Sequence, residues 1–473
     1  MTGKPAAGST SGRAATSTGP IVIDRSRLPK PGPAAAFVFP DIEKSTLSNG
    51  LRVWTVRHPA IPVVTLRLLI KRGSATDMTG KAGLTALTVD MLDEGSGGRS
   101  AIEMHEALAR IGAQLDSDIG PDATVMTITT LSRFAGKALA ILGDMIARPS
   151  LTDGDFARVR QLRLHRLTQL RDVPGAVADR AFTQLLYGDH PYGHSPLGTG
   201  LALASMTVDE VRAFHSSVVK PSEATLVVAG DCDHDSIITY VEEAFDGWKG
   251  TAPVDGVAAA VLIQPPKLNV IPRPGASQSE LRLGHVAVAR STPDYHALVT
   301  ANTVLGGQFV SRINLNLRED KGLTYGARTS FDFRRLPGPF ALHVSVQTTG
   351  TARAIAESLN EIEAIRGPHA VTPEELKLGV AALTRGYARN FETAEQVARA
   401  VTQIAAYDLP DSHFTDFVPR VERLTVDEVT HAIARHIHPD RLTTLVVGDL
   451  DVIADDLAQL QLGPAVVVST DSF

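Results

Sequence analysis

The chain has 473 residues, of which 43% are hydrophobic and 21% charged, and its formal net charge is -6. This composition is typical of a globular protein of several domains and excludes a mainly disordered or fibrous chain. The basic residues form no run that could follow a phosphate backbone, which argues against nucleic acid as a partner. No segment approaches the roughly 18 apolar residues that a membrane-spanning helix needs. The single cysteine, Cys232, excludes an intrachain disulfide and a cysteine-based zinc cluster.

The predicted elements begin after an N-terminal stretch rich in Gly, Ser, Thr, Pro and Ala, which we interpret as a flexible tail over residues 1–36. Alternation of apolar residues over 51–74 predicts two strands paired with each other. Further along, hydrophobic spacing predicts helices over 83–91, 105–116 and 133–147, a strand over 122–131, and a long Arg-rich helix from Phe156 to Arg171.

The chain contains a duplicated segment. TVDEVRAFHSSVVKPSEATLVVAGD, from Thr207, aligns with TVDEVTHAIARHIHPDRLTTLVVGD, from Thr425, at an offset of 218 residues, and ten of the 25 positions are identical. Each copy predicts a helix opened by a Thr with Glu three residues later, followed by a β-branched strand. Because the offset far exceeds a solenoid period, the duplication predicts two halves of similar fold.

A proline-rich segment separates the two halves. Residues 250–276 contain five prolines, a composition that suits an extended linker better than a regular element. We therefore expect an N-terminal half at 37–250, a linker at 251–276 and a C-terminal half at 277–473. The second half repeats the order of the first, with strands over 279–288, 324–333 and 341–349 and helices over 294–306 and through Arg318. The alternation predicts an α+β fold in which helices cover the sheets.

Four motifs carry a resemblance to a known family. They are LSNGLRVWTV at Leu47, the G-L-x-x-L opening at Gly83, GDHPYGHSPLGT at Gly188 and LGGQFVSRINLNLREDKGLTY at Leu305. With these motifs the chain resembles the insulinase and pitrilysin-like zinc peptidases, in the processing-peptidase branch (subfamily B), over nearly its whole length after residue 40. The resemblance implies a clamshell-forming metallopeptidase fold.

The zinc motif of that family is degenerate here. Active members carry His-x-x-Glu-His on the first helix, where two histidines bind zinc and the glutamate acts as general base. This chain has Ala86, Val89 and Asp90 at those three positions. The further Glu ligand is expected in the helix after Phe156, which has no carboxylate as far as Arg171. We therefore expect no metal in this chain, because a catalytic zinc needs three ligands and a base.

Other polar groups offer weaker alternatives. Asp93 and Glu94 with Asp90 could suit only a hard cation. His190 and His194 are four residues apart, but Pro191 and Gly193 lie between them, so we interpret the segment as a structured loop. We interpret the two histidines beside Pro439, His436 and His438, as surface residues.

The second half retains an arginine and a tyrosine whose spacing matches the substrate-holding pair of the family. Arg318 is expected in the last turn of a helix capped by Gly322, and Tyr325 at the start of the next strand, so the two side chains could converge. A phenol can donate to the oxygen of a scissile carbonyl as it gains charge, and a guanidinium can hold a peptide carbonyl.

The resemblance therefore implies a non-zinc subunit of a heterodimeric zinc endopeptidase, with Arg318 and Tyr325 acting at the zinc of a homologous partner subunit. Alone, such a chain would not cleave peptides. Two alternatives stay open: an inert structural subunit, as in the core proteins of a respiratory complex, and a peptide-binding subunit that adds segments to a sheet edge. By analogy with exported bacterial relatives we expect the periplasm, with the cytoplasm as the alternative.

Overall fold

The computed structural model describes residue 26, residues 37–253, residue 257 and residues 265–469. Apart from Ser26, the tail predicted at residues 1–36 lies outside the described residues. Among the described residues, no helix is both long enough and apolar enough to span a bilayer.

The first half contains eight strands and eight helices within its described residues. The strands are β1 (Glu43–Thr46), β2 (Arg52–Arg57), β3 (Val63–Ile70), β4 (Gly95–Ser96), β5 (Arg99–Ser100), β6 (Gln114–Ile119), β7 (Thr124–Leu131) and β8 (Ala224–Gly230). The helices are α1 (Leu84–Asp90), α2 (Ala101–Arg110), α3 (Ala135–Ala147), α4 (Asp153–Arg171), α5 (Pro174–Tyr187), α6 (Gly200–Ser205), α7 (Val208–Val218) and α8 (His234–Phe245).

The second half has a similar inventory within its described residues. Its strands are β9 (Leu268–Pro272), β10 (Gln278–Val288), β11 (Ala327–Phe331), β12 (Gly338–Gln347), β13 (Thr443–Gly448) and β14 (Val466–Val467). Its helices are α9 (Tyr295–Leu305), α10 (Arg312–Asn314), α11 (Thr351–Arg366), α12 (Pro373–Thr384), α13 (Ala394–Tyr407), α14 (His413–Glu422), α15 (Val426–His436) and α16 (Leu450–Ala458), with a π-helical segment, Leu315–Asp320, continuing α10.

Each half builds one six-stranded sheet, and the two sheets share a topology. The strand orders are β1-β2-β8-β3-β7-β6 and β11-β12-β10-β13-β9-β14. β2 is parallel to β8 in the first sheet, β9 is parallel to β13 in the second, and the strands on the far side of β8 and β13 are antiparallel to their neighbours. The two sheets differ at one edge, because β1 is antiparallel to β2 whereas β14 is parallel to β9. Apolar residues of α2, α3 and α8 cover one face of the first sheet, and those of α9, α11, α15 and α16 cover one face of the second. The predicted α+β fold of two similar halves is confirmed.

The duplicated segment closes each sheet in the same way. Thr207 and Glu210 form a reciprocal capping box at the start of α7, and Thr425 and Glu428 form the same box at the start of α15. In both boxes the Thr backbone N–H donates to the Glu carboxylate at 2.8 Å. The capping signature read from the sequence is thus realised in both copies.

Two sequence predictions are wrong. The strands expected to pair with each other over 51–74 are β2 and β3, but β8 lies between them, parallel to β2 and antiparallel to β3. The proline-rich segment, expected to carry no regular element, contributes β9. In both sheets a central strand, β8 or β13, comes from the distant repeat. The pairing of β2 with β8, and the pairing with β13 that makes 268–272 a strand, therefore cannot be recognised from adjacent sequence alone.

Each half contributes one helix that packs on the sheet of the other half. Ala178 and Phe182 of α5, in the first half, pack with Leu445 and Val447 on the second sheet. Conversely, α13 of the second half packs against Val227 and other apolar residues of the first sheet. Each sheet therefore completes the burial of its second apolar face with a helix from the other half.

Candidate functional site

Helix α1, which carries the degenerate zinc positions, is fixed at its start by a buried carboxylate. Gly83 precedes the helix with φ +97°, a left-handed conformation that favours glycine. The Asp77 side chain, 1% exposed, accepts hydrogen bonds at 2.7 Å from the backbone N–H groups of Gly83 and Thr85. Negative charge at a helix N-terminus is stabilising, so Asp77 supplies the cap that α1 lacks in its own sequence.

The three degenerate positions do not assemble a zinc site. Ala86 and Val89 are buried in the packing of α1, and Asp90 is half-buried. The Asp90 carboxylate accepts a hydrogen bond from the Arg163 guanidinium of α4, which also donates to the carbonyl of Pro196 at 2.9 Å. Burial raises the pKa of Asp90, and the nearby Arg163 charge opposes that shift. A fixed guanidinium thus occupies the space between α1 and α4.

Helix α4 supplies no carboxylate to this space. Its buried residues are Phe156, Val159 and Leu167, so the face directed at the core is apolar. Within the described ranges, no group of three or more His, Cys, Asp or Glu side chains could hold a metal ion. The residues present therefore do not fit the zinc that the resemblance implies for active members.

The acidic pair after α1 borders a cleft of about 430 Å³. Glu94 is engaged by Arg158 of α4, with one nitrogen–oxygen distance of 3.1 Å. Burial, together with repulsion from Glu94, raises the pKa of Asp93 to about 6. Since Asp90 and Glu94 each have an arginine partner, the three carboxylates do not combine into a cation site.

The candidate histidines have structural partners. His190 accepts a hydrogen bond from the Tyr192 backbone N–H at 3.0 Å. His194 lies 3.0 Å from the Asp77 carboxylate and joins the HPYGH loop to the start of α1. His436 is bonded to Asp294 at 2.7 Å, and the backbone N–H of His438 donates to a buried ring, His285. These contacts agree with the interpretation of the HPYGH segment as a structured loop, whereas His436 is less exposed than expected, with 15% of its side chain accessible.

Arg318 lies on the π-helical segment in the second half. Gly322, with φ +62°, follows the segment, as the sequence predicted for a helix end. The Arg318 guanidinium carbon lies 3.9 Å from the ring centroid of Phe309, within cation–π range. Its Nη1 atom is buried and makes no hydrogen bond within the described part of the chain, although a Glu319 oxygen lies 3.4 Å away. Single π-helical turns are frequent at functional sites.

Tyr325 is 93% exposed and lies in the loop before β11, which begins only at Ala327. The prediction that Tyr325 starts the strand is therefore wrong. The strand begins later because the Thr324 hydroxyl holds the loop, donating to the Ser345 carbonyl at 2.7 Å and accepting from the Gly326 N–H at 3.1 Å. Among the described residues, no hydrogen bond or ring contact joins Tyr325 to Arg318.

A pocket of about 480 Å³ lies between the Gly306–Phe309 loop and strand β11. Phe309, which contacts Arg318, and Gly326, which follows Tyr325, both line it. Neither Arg318 nor Tyr325 is among the described residues that line it. The sequence analysis did not predict the roles of Phe309 and Arg163. For Arg163 one signal was available, because an Arg-rich helix stands where a Glu ligand was expected.

Comparison with known proteins agrees with this geometry. A family described as "Insulinase (Peptidase family M16)" matches residues 52–200, and one described as "Peptidase M16 inactive domain" matches residues 205–383. A protein described as an uncharacterized zinc protease of Mycobacterium tuberculosis is 24% identical over 429 residues, covering 89% of this chain and 96% of its own. A similarly described protein of Bacillus subtilis is 26% identical over 287 residues, covering 60% and 68%.

Solved structures share the fold. A peptidase M16 inactive domain from Pseudomonas fluorescens superposes with a TM-score of 0.81 at 23% identity, over 86% of this chain and 98% of its own. A protease from Helicobacter pylori gives a TM-score of 0.79 at 20% identity, over 86% and 99%. Together the two family matches span more than half of the chain in the order of its two halves, and the chain belongs to the insulinase family of peptidases, family M16.

Proposed function

We propose that this chain is the non-zinc subunit of a heterodimeric zinc endopeptidase and that Arg318 and Tyr325 act on substrate bound at the partner subunit. The observation that carries the proposal is an asymmetry between the halves. In the first half Asp90, at a degenerate motif position, is paired with Arg163, and no group of side chains in the described ranges could hold a metal ion. In the second half Tyr325 is almost fully exposed, at a loop whose base is fixed by hydrogen bonds.

The two side chains have complementary chemistry. The Tyr325 hydroxyl can donate to a scissile carbonyl oxygen as negative charge develops on it. The Arg318 guanidinium is always charged and can hold a neighbouring peptide carbonyl. Both roles require another chain, because this one supplies neither the metal nor the base.

Reconstitution tests the proposal. The chain is mixed with a zinc-binding M16 subunit from the same organism, and cleavage of a peptide library is measured. We expect no cleavage by this chain alone and cleavage by the mixture. Tyr325→Phe should lower turnover by roughly 100- to 1000-fold, the usual cost of removing one oxyanion donor. Arg318→Ala should also lower turnover, and neither change should alter assembly measured by sedimentation velocity.

Tyr240→Phe is the matched control. Tyr240 is also exposed, at 41%, but lies on α8 of the first half. The Tyr240→Phe variant should therefore leave turnover unchanged. Full activity of both the Tyr325 and the Arg318 variants in an assembled complex would contradict the proposal.

A second candidate is a peptide-binding subunit, and one observation favours it. Strand β6 ends the first sheet and pairs only with β7 among the described strands, so its other edge can accept an added strand. The corresponding edge of β11 is occupied, because Asn314 bonds both backbone groups of Ala327 and Gly306 accepts from the Thr329 N–H.

Peptide binding without cleavage would distinguish this candidate. Ser117→Pro removes an N–H from the middle of β6, so it should weaken capture of an unfolded peptide, measured by fluorescence anisotropy, if the edge binds peptide. A complex that neither binds nor cleaves peptide would favour the purely structural subunit.

A further inference from the structure

The environment of Arg318 singles out Phe309, an aromatic side chain that is 65% exposed although it lies in a loop held by hydrogen bonds. The Arg318 guanidinium covers one face of its ring at 3.9 Å. The exposed ring has a large apolar surface in contact with water, which needs a reason.

The loop that carries Phe309 is fixed on both sides. The Gly306 carbonyl accepts from the Thr329 N–H at 3.1 Å, and the Gly307 N–H donates to Asn302 at 2.6 Å. A Cβ atom on Gly306 would lie 2.5 Å from the Thr329 hydroxyl, so the loop approaches β11 as closely as glycine allows. Within the loop, the Gln308 carbonyl accepts from the Asn314 side chain at 3.1 Å and, across Phe309, from the Ser311 N–H at 3.2 Å. The Phe309 ring is therefore attached to a backbone that is held in place by hydrogen bonds.

The guanidinium, in contrast, has little else to hold it. Glu319 is the one ion partner of Arg318 among the described residues, its carboxylate is half exposed, and their contact of 3.4 Å lacks hydrogen-bond geometry. An exposed ion pair of this kind contributes little. Arginine has a long side chain with many rotamers, so a group that fixes its head reduces the entropy lost when it binds a carbonyl.

We propose that Phe309 is a positioning residue: its ring holds the Arg318 guanidinium in the orientation that binds substrate at the partner subunit. This rests on the proposed function for Arg318. The ring does not touch the reacting atoms; it acts through the cation–π contact, which engages the face of the guanidinium and does not use the N–H groups at its edge. The role requires an aromatic side chain at position 309, whereas filling space would require only an apolar one.

The contact can be tested on the isolated chain, without a partner. In a sample labelled with 15N-arginine, the side-chain proton resonances of Arg318, identified by their loss in Arg318→Lys, should be shifted upfield by the ring current of Phe309. The shift should disappear in Phe309→Leu and persist in Phe309→Tyr. An Arg318 signal at the position of an exposed arginine in the unmodified chain would overturn the proposal, whatever the outcome for the proposed function.

The role is tested in the reconstituted complex by a double-mutant cycle. Phe309→Leu should lower kcat/KM by about 2- to 5-fold, the range expected for losing an exposed cation–π contact. Phe309→Tyr should restore it, and Val310→Ala, a change at the exposed neighbouring residue, should have no effect. In an Arg318→Ala background, Phe309→Leu should cause no further loss, because the ring acts only through Arg318.

Three results would overturn the positioning role. One is unchanged activity in Phe309→Leu, and another is a loss that adds fully to that of Arg318→Ala. The third is weaker subunit assembly in Phe309→Leu, which would make Phe309 a docking contact. In each case a strong effect of Tyr325→Phe would still support the proposed function, so the two failures can be distinguished.

Discussion

Asp90 of α1, one of the three degenerate motif positions, forms an ion pair with Arg163 of α4, and Arg163 also donates to the carbonyl of Pro196 at 2.9 Å. A guanidinium, like a metal ion, is a cation that can link two helices and a loop. The Arg163 side chain is 11% exposed, so the pair is shielded from solvent on one side.

Arg163→Leu should destabilise the chain. The change leaves the Asp90 carboxylate half-buried without its partner and the Pro196 carbonyl without a donor, which typically costs about 1–3 kcal/mol. Urea unfolding should show a lower midpoint, and adding Asp90→Ala should recover part of the loss. Arg166→Leu is the control, because Arg166 is exposed one turn away on the same helix. Equal midpoints for the Arg163 and Arg166 variants would refute the structural role of the pair.

Asp93→Asn should stabilise the chain at neutral pH. Because the pKa of Asp93 is raised from 3.8 to about 6, the folded chain binds more protons than the unfolded chain between these values, so stability falls as pH rises through them. The neutral amide of asparagine avoids the cost of burying an ionised carboxylate, so the free energy of unfolding at neutral pH should rise by at most about 3 kcal/mol. The urea midpoint of the variant should exceed that of the parent at pH 7.5 and approach it at pH 4. A constant difference at both pH values would show that Asp93 does not titrate in this range.

His296→Phe should reduce acid sensitivity. His296 packs between α9 and α14, with its ring centroid 6.2 Å from that of His413 and 5.5 Å from that of Phe417. Burial, with repulsion from Arg420 and Arg290, lowers the pKa of His296 from 6.5 to about 4. The unfolded chain then binds more protons between these values, so stability falls as pH drops from 6.5 to 4.

Phenylalanine at position 296 keeps the ring packing but cannot be protonated. The variant should therefore lose less stability than the parent between pH 6.5 and 4, by at most about 3 kcal/mol. The measurement is the urea midpoint at several pH values, with His105→Gln, a change at an exposed position of α2, as the control. Parallel curves for the His296 variant and the parent would contradict the expectation.

Tyr192→Phe should weaken the contact between the halves. The Tyr192 hydroxyl donates to the Asp122 carboxylate and accepts from the Leu336 N–H of the second half at 3.3 Å. Removing the hydroxyl leaves the partly buried Leu336 N–H without its acceptor, whereas Asp122 still accepts from the Arg335 N–H at 2.8 Å; a lost acceptor of this kind costs about 1–3 kcal/mol. Hydrogen exchange at Leu336 should become faster and the urea midpoint lower. Tyr240→Phe should change neither the exchange rate nor the midpoint. If Tyr192→Phe leaves both unchanged, the Tyr192 hydroxyl does not stabilise the contact between the halves.

Sequence reasoning succeeded where local patterns determine structure. The capping boxes at Thr207 and Thr425 and the glycine end at Gly322 depend on neighbouring residues, and all three were predicted. It failed where the partner is distant: β8 separates β2 from β3, and Arg163 is 73 residues from Asp90. The cation–π contact of Phe309 was also not predictable, because nothing in the spacing shows that the π-helical segment directs Arg318 toward the loop.

The packing of α5 and α13 on the sheet of the opposite half limits how the two halves of this chain can move. Separating the two sheets would expose the apolar faces that these helices cover, so a hinge inside the chain would be opposed by most of its stability. The proposed function would then require that this chain moves relative to a partner as one rigid unit. If the chain is cut within residues 254–264, the two fragments should therefore stay associated, because α5 of the first packs on the sheet of the second and α13 of the second packs on the sheet of the first.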